Sequence, residues 1–314
     1  MAITLKNISE ICKVDISTVS RALRNDLRVK AATRELIQTK AAELGYTPNL
    51  AARNLVSGKT LNLWMIISEL NNPIEQQPVQ FLSKSLHDKG YELLITLYHA
   101  DAKKFNHLLS QLSQHVADGA FIIPSLEYSA PAYLPLLQKD FPLVFIDRQP
   151  TFENCTTVTT ANKVATKELM QKCLDAGADY FIILFENDNS VVRRRFEGAV
   201  ECINENNLSF TQANSEYAPP AEFLSKNIAL ISSSGLAAEK YSKIFLSKKR
   251  PPQLISASFD KAPENTALFD HVFVAEQDFE AIAEAAAKLM LKKIKGKSKS
   301  QTLEVPTKNI FCIK

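Results

Sequence analysis

The residues best suited to chemistry lie within the first 25 positions: Ser17, Thr18, Ser20 and Arg21, interleaved with Ile16, Val19, Ala22 and Leu23. At helical spacing Val19, Ala22 and Leu23 fall on one side, and Ile16, Ser17, Ser20 and Arg21 on the other. Such an outer face suits recognition, not bond making. Arginine bonds guanine bidentately, a hydroxyl serves a base edge or a phosphate, and an apolar side chain meets a thymine methyl. Asp15 stands at the N-cap position, its carboxylate able to accept the N–H of Ser17 or Thr18. A short surface helix with an incidental arginine fits the same pattern, so the flanking elements decide.

Thr4 caps a short amphipathic helix with Leu5, Ile8 and Cys12 at helical spacing, and a tight turn at Lys13-Val14 leads into the reading helix. After a loop at Asn25-Asp26, residues 31–44 form a third helix with Leu36, Ile37, Ala41 and Leu44 inward. Gly45 stops it at the position where a left-handed C-cap belongs. Three short helices around one apolar cluster make a helix-turn-helix domain. Charge agrees: residues 1–60 hold ten Lys and Arg against five Asp and Glu, which leaves 27 against 29 for the rest. Positive charge gathered at this end is the footprint of a phosphate-binding surface whose affinity falls with salt.

Thr4-Leu5, Thr18-Val19-Ser20-Arg21-Ala22-Leu23, Arg28-Val29, Thr33-Arg34, Leu44-Gly45-Tyr46-x-Pro48-Asn49 and Ala51-Ala52-Arg53-x-Leu55 resemble, in order and spacing, the N-terminus of LacI/GalR-family repressors. The resemblance implies double-stranded DNA as partner, met by Thr4, Asp15, Ile16, Ser17, Thr18, Ser20, Arg21, Arg28, Asn49, Ala52 and Leu55. Residues 49–60 match the family's hinge, too short to be a helix alone in water; it folds on the operator, where Leu55 takes the place of the leucine that wedges a base step. Two departures stand out. Lys13 replaces the usual Gly, and Lys30 replaces the usual Ser cap, which should weaken the third helix by ~1 kcal/mol.

From residue 61 strands alternate with helices, the pattern of a parallel-sheet α/β architecture. Strands are expected at 63–67, 91–98, 120–123, 143–146, 180–184, 228–231, 254–258, 273–275 and 303–305. Helices are expected at about 78–89, 102–115, 132–139, 163–176, 192–206, 236–247 and 279–294. The fold class expected is therefore an all-α helix-turn-helix domain plus an α/β core of two doubly wound parallel-sheet subdomains, which resembles the periplasmic-binding-protein-like core of the same family. Its divisions are 1–48, a linker 49–60, and a core 61–314 split into 61–160 plus 279–301, and 161–278 plus 302–314.

Such a core binds ligand between its subdomains, at the carboxyl ends of the strands. Glu69 and Asn72 follow the first strand, Arg148 the fourth, Ser233 and Ser234 the sixth and Asp260 the seventh, while Arg195 opens a helix and Gln277 precedes the last long one. By resemblance Arg195 is the effector-contacting Arg of an R-x-x-G motif, Asp260 the Asp of G-[FY]-D and Arg148 the Arg of I-D-R. Ser233-Ser234 stand where many members carry Asn-Asp, and Ala161 replaces a common Asp. Fewer acids beside two arginines favour an anion, and the core resembles the fructose- and sucrose-repressor branch, so a sugar phosphate is the expected effector.

Other classes find less support. Nucleotide-binding, hydrolase and zinc-protease motifs are missing, and the five histidines and five scattered cysteines show no ligand spacing, so neither an enzyme, a metal nor a cofactor is expected. No apolar run suits a membrane and Met1-Ala2-Ile3-Thr4 is no signal peptide, so the expected location is the cytoplasm. A sugar-binding protein without DNA function, or a regulator answering to a protein corepressor, are the alternatives. The reading is a homodimeric repressor of carbohydrate metabolism, two-fold symmetric on a pseudo-palindromic operator.

Overall fold

The computed structural model describes residues 3–47, 58–71, 73–124, 132–185, 188–213, 221–246 and 250–314. Two compact units emerge, Met1–Thr60 and Leu61–Lys314. No helix among the described residues is long and apolar enough to cross a membrane.

The first unit holds α1 (Leu5–Cys12), α2 (Ile16–Leu23) and α3 (Ala31–Glu43). Thr4 and Asn7 form a reciprocal capping box on α1, satisfying N–H groups the helix itself leaves open. Lys13 ends α1 at φ 52°, so a side chain sits in the left-handed region where glycine is unstrained. Gly45 ends α3 at φ 63°; its N–H reaches Ala42 O and that of Tyr46 reaches Ala41 O, closing the last turn as a Schellman motif. Ile8, Val19, Ala22, Val29, Ile37 and Ala41 form the core.

Two expectations fail here. Asp15 occupies the N-cap position of α2, yet its carboxylate accepts no N–H; its backbone carbonyl alone takes Thr18 and Val19. Leu36 is 49% exposed, because the buried stripe of α3 runs through Ile37, Ala41 and Leu44, one residue round the helix from it.

The second unit contains two six-stranded sheets. The first is built from β1 (Asn62–Ile67), β2 (Glu92–Leu97), β3 (Gly119–Ile122), β4 (Leu143–Ile146), β5 (Thr157–Thr160) and β11 (Thr302–Val305), in the order β11-β5-β4-β3-β1-β2. The second is built from β6 (Tyr180–Leu184), β7 (Ser209–Gln212), β8 (Ile228–Ser232), β9 (Leu254–Phe259), β10 (His271–Gln277) and β12 (Thr307–Cys312), in the order β12-β10-β9-β8-β6-β7. Place for place the orders match. Every pairing is parallel except β10 with β12. The central strands β3, β4, β6, β8 and β9 are buried throughout, as sheets covered on both faces require.

The helices are α4 (Pro73–His87), α5 (Ala102–Leu112), α6 (Leu134–Leu137), α7 (Asn162–Asp175), α8 (Ser190–Asn206), α9 (Gly235–Leu246) and α10 (Phe279–Ile294). α10 packs on the first sheet with Val79, Leu82 and Leu86 of α4; α7 and α8 pack together on the second. On the opposite face of the first sheet, Trp64 of β1 packs against a cluster that includes Phe105 and Tyr133.

The chain passes between sheets after β5, after β10 and after β11. That last position corrects the expected division, which gave 302–314 to the second half: β11 runs parallel to β5, with Val305 beside Thr160, and only β12 joins the second sheet. α4 also begins five residues earlier than its expected start at Pro78, which lies inside the helix. A proline lacks an N–H, so it reads as a helix start when no other signal competes.

Candidate nucleic-acid interface and effector cleft

Val19 and Ala22 anchor α2 with no exposed surface, which fixes the helix's rotation and turns Asp15, Ile16, Ser17 and Arg21 outward. Ile16 is 47% exposed, an apolar side chain presented to solvent at the head of a helix. Thr18 and Ser20 are half-buried, and Thr4 is exposed at the head of α1. Gln38 of α3, unmarked by any local motif, donates Nε2 to Ala22 O and Asn25 Oδ1 and so braces the end of α2. Arg28 is not idle: its Nε and Nη2 grip the Asp26 carboxylate, holding that acid far below the usual carboxylate range. Asn49, Ala52 and Leu55 lie outside the described residues.

In the core, β4 and β9 hold the same place in their sheets, and each is followed directly by an aspartate with a left-handed backbone, Asp147 at φ 66° and Asp260 at φ 59°. In each the next residue's N–H bonds the carbonyl just before it, Arg148 to Ile146 at 2.8 Å and Lys261 to Phe259 at 2.6 Å. Both are tight three-residue turns of the rare positive-φ kind. Such conformations are tolerated by Asp and are found where structure over-determines them.

Around this pair the structure gathers Arg148, Arg195 and Gln277. Arg148 donates Nη1 to Pro124 O at 3.1 Å and holds Nε 3.5 Å from Asp147. Arg195, on α8 and 4% exposed, donates Nε to Asn162 Oδ1 at 2.8 Å and lays its guanidinium 3.5 Å from the centre of the Phe259 ring. Burial lowers its pKa to about 10, against the pull of Asp260 and Asp147. Gln277 donates both its backbone N and Nε2 to Asp260 and accepts Thr160 Oγ at 2.5 Å, which joins the ends of β9, β10 and β5.

Two acids outside the expected contacts complete the group. Asp147 is buried, and Glu75 of α4, 3% exposed, accepts the N–H groups of Ser68 and Glu69 at the end of β1. Burial pushes the carboxyls of Glu75, Asp147 and Asp260 upward; the N–H groups of Glu69 and Ser68 oppose this at Glu75, Arg148 at Asp147, and hydrogen bonds from Gln277 at Asp260. Asp147 was legible as the residue before Arg148, whereas Glu75 looks like any acid in a helix's first turn.

The other expected contacts are less central. Glu69 faces His99 Nδ1 at 3.2 Å and is half-exposed. Ser233 Oγ is buried without a partner among the described residues, so it is a hydroxyl with hydrogen-bonding capacity to spare. Ser234 contributes its carbonyl to Ser232 Oγ and to the start of α9. Asn72 lies outside the described residues. Beside Asp147 and Thr160 a cavity of about 440 Å³ opens, lined also by Gln149, Asn162, Ser190 and Arg194. Two contacts span the sheets there: Gln149 N–H to Ser190 Oγ at 2.8 Å and Arg194 to Glu304 at 3.1 Å.

An exposed reading helix on a three-helix domain, carried by a two-sheet core, defines a helix-turn-helix DNA-binding regulator. Residues 4–49 match the family model described as bacterial regulatory proteins, lacI family, and this N-terminal domain is a LacI-family helix-turn-helix. Across the whole length the chain is 23% identical over 327 residues to the ribose operon repressor of Halalkalibacterium halodurans, covering 97% of this chain and 95% of that one. The lac repressor dimer bound to operator and the anti-inducer ONPF shares its fold at a TM-score of 0.79 and 17% identity, over 100% and 98% of the two chains. The Cra transcriptional dual regulator from Pseudomonas putida, in complex with fructose 1-phosphate, superposes at 0.64 with 18% identity, over 80% and 98%.

Proposed function

We propose that this chain is a homodimeric transcriptional regulator, a repressor of carbohydrate metabolism, whose paired α2 helices read a pseudo-palindromic operator and whose core binds a small effector that alters operator affinity. The observation that carries the reading is the LacI-family helix-turn-helix joined to a two-sheet core whose facing strand ends carry a buried charged cluster. The operator contacts we assign are Thr4, Asp15, Ile16, Ser17, Thr18, Ser20, Arg21 and Arg28, with Asn49, Ala52 and Leu55 in the segment 49–60. Pairing is supported by the sheet edges, where Leu94 and Ile95 of β2 and Phe210 of β7 are 44%, 45% and 40% exposed.

The effector contacts we assign are Arg148, Arg195, Asp260, Gln277 and Ser233, with Glu69, Asn72 and Ser234 at the margin. An effector that shifts the two sheets changes the spacing of the two operator-reading ends, and its influence on affinity equals its preference for one arrangement. Arg148 and Arg195 taken alone would favour the sugar phosphate of a fructose- or sucrose-repressor-like branch, but the carboxyls of Glu75, Asp147 and Asp260 beside them outnumber the two guanidiniums and count against an anionic ligand. Selection of bound duplexes from a random pool tests the DNA reading. A two-fold symmetric consensus bound by a dimer is the expected result, and enrichment of nothing above background would sink it.

A further inference from the structure

Glu75, Asp147 and Asp260 bring three carboxylates to the cluster, and Arg148 and Arg195 bring two guanidiniums, so with all of them ionised one negative charge is left over. Neutral groups hold most of these charges. Arg195 is taken by Asn162 and the Phe259 ring, and Arg148 by Pro124 O. Asp260 is held by Gln277, and Glu75 by two backbone N–H groups.

Asp147 differs from both. Its side chain is 6% exposed, and among the described residues its ion-pair partner is Arg148 Nε at 3.5 Å, with Arg195 adding charge at longer range and no hydrogen bond donated to it. A buried carboxylate short of donors is unfavourable until something supplies them. Asp147 also lines the cavity of about 440 Å³, within the size range of small-molecule sites. The rest of that wall is mainly hydroxyl and amide, from residues such as Thr159, Asn162 and Ser190, with Val191 as an apolar patch and the Arg194 guanidinium neutralised by Glu304, which also lines the wall, and by Glu197. A phosphate would add close to two more negative charges beside this wall.

Granting that the cleft holds the effector, we infer that this effector carries a protonated amine on a sugar-sized, hydroxyl-rich frame, with the ammonium against Asp147 and its hydroxyls on the surrounding Thr, Asn and Ser groups. An ammonium is a compact charge with three donors, the complement of a carboxylate that lacks them. Burial raises the carboxyl pKa of Asp147, Glu75 and Asp260; at Asp147 this is opposed by the Arg148 and Arg195 charges, at Glu75 first by two backbone N–H groups and at Asp260 first by Gln277, so Asp147 tends to hold a proton when nothing donates to it. The amine displaces such a proton, so its affinity falls toward acid.

Calorimetric titration of the full chain with matched triplets decides the point: glucosamine, glucose and glucose 6-phosphate, then the galactose and mannose counterparts. The amine member of one triplet should bind roughly ten-fold or more tightly than its hydroxyl and phosphate partners. Asp147→Asn, with its fold checked by circular dichroism, should erase that preference; asparagine accepts the left-handed backbone at this position. If that variant fails to fold, wild-type affinity decides, with the amine weakening from pH 7 to 5 and the hydroxyl member staying level. Equal or tighter binding of a neutral or phosphorylated member would overturn the charge inference and leave the effector reading intact. Silence from all members of every triplet would overturn both.

Discussion

Arg21 is an exposed guanidinium on a helix whose other face is locked by Val19 and Ala22, so its direction is set by burial, not by its own contacts. Arg21→Ala is expected to cost about 1–3 kcal/mol per half-site and to relax the preference at one operator position; binding arrays of single-base operator variants would show it. Asp147 offers a second test. Its folded pKa lies above the ordinary value because it is buried, so the folded chain keeps a proton that the unfolded chain has lost, and stability falls as pH rises through that interval. Asp147→Asn should therefore melt a few degrees above wild type at pH 7, at about 2–4 °C per kcal/mol for a domain of this size, and the gap should close toward pH 4. A gap that persists at pH 4 would mean the gain is packing and not ionisation. Arg195, Asp260 and Arg148 were legible because each stands next to a strand end or in a helix's first turns within a short motif. Glu75 was not: nothing local distinguishes a solvated helical acid from one folded back on two backbone N–H groups.

Helix pairing is most demanding where α7 meets α8. A Cβ built on Gly198 would lie 2.3 Å from Lys163 O, a backbone atom that cannot swing aside. The glycine of the R-x-x-G motif thus brings the helices together and seats Arg195, one turn earlier, against Asn162. Gly198→Ala should destabilise the core by about 1–3 kcal/mol, read as a lower urea midpoint with unchanged slope. It should also weaken effector binding, since Arg195 moves with the helix. Long, strongly periodic helices such as α8 and α10 and the wholly apolar strands were predictable from pattern alone. β5, β7 and β12 were not, because Thr-Val-Thr-Thr, Ser-Phe-Thr-Gln and Thr-Lys-Asn-Ile-Phe-Cys carry short polar-mixed patterns whose strand state depends on the neighbour they pair with. The capping of α2 failed for a related reason: Asp15 is a good cap in principle, but its carbonyl does the work and its side chain faces solvent.

At the level of the whole molecule the two sheets repeat one strand order, and that repetition sets Asp147 opposite Asp260 in kind as well as in place. The alternation of strands and helices made the doubly wound architecture readable, while the last crossing was misplaced because a four-residue strand gives no sign of which sheet will take it. Trp64 is the chain's one tryptophan, and it packs within the first sheet's outer layer. Its emission is therefore a private observer of that half, blind to the other, whereas far-ultraviolet circular dichroism averages over both. Urea titrations followed by the two signals should share a midpoint, because the chain crosses three times and Thr160–Gln277, Gln149–Ser190 and Arg194–Glu304 bond across the junction. Midpoints that separate would mean the halves melt one after the other, and a single unfolding free energy would no longer describe the core.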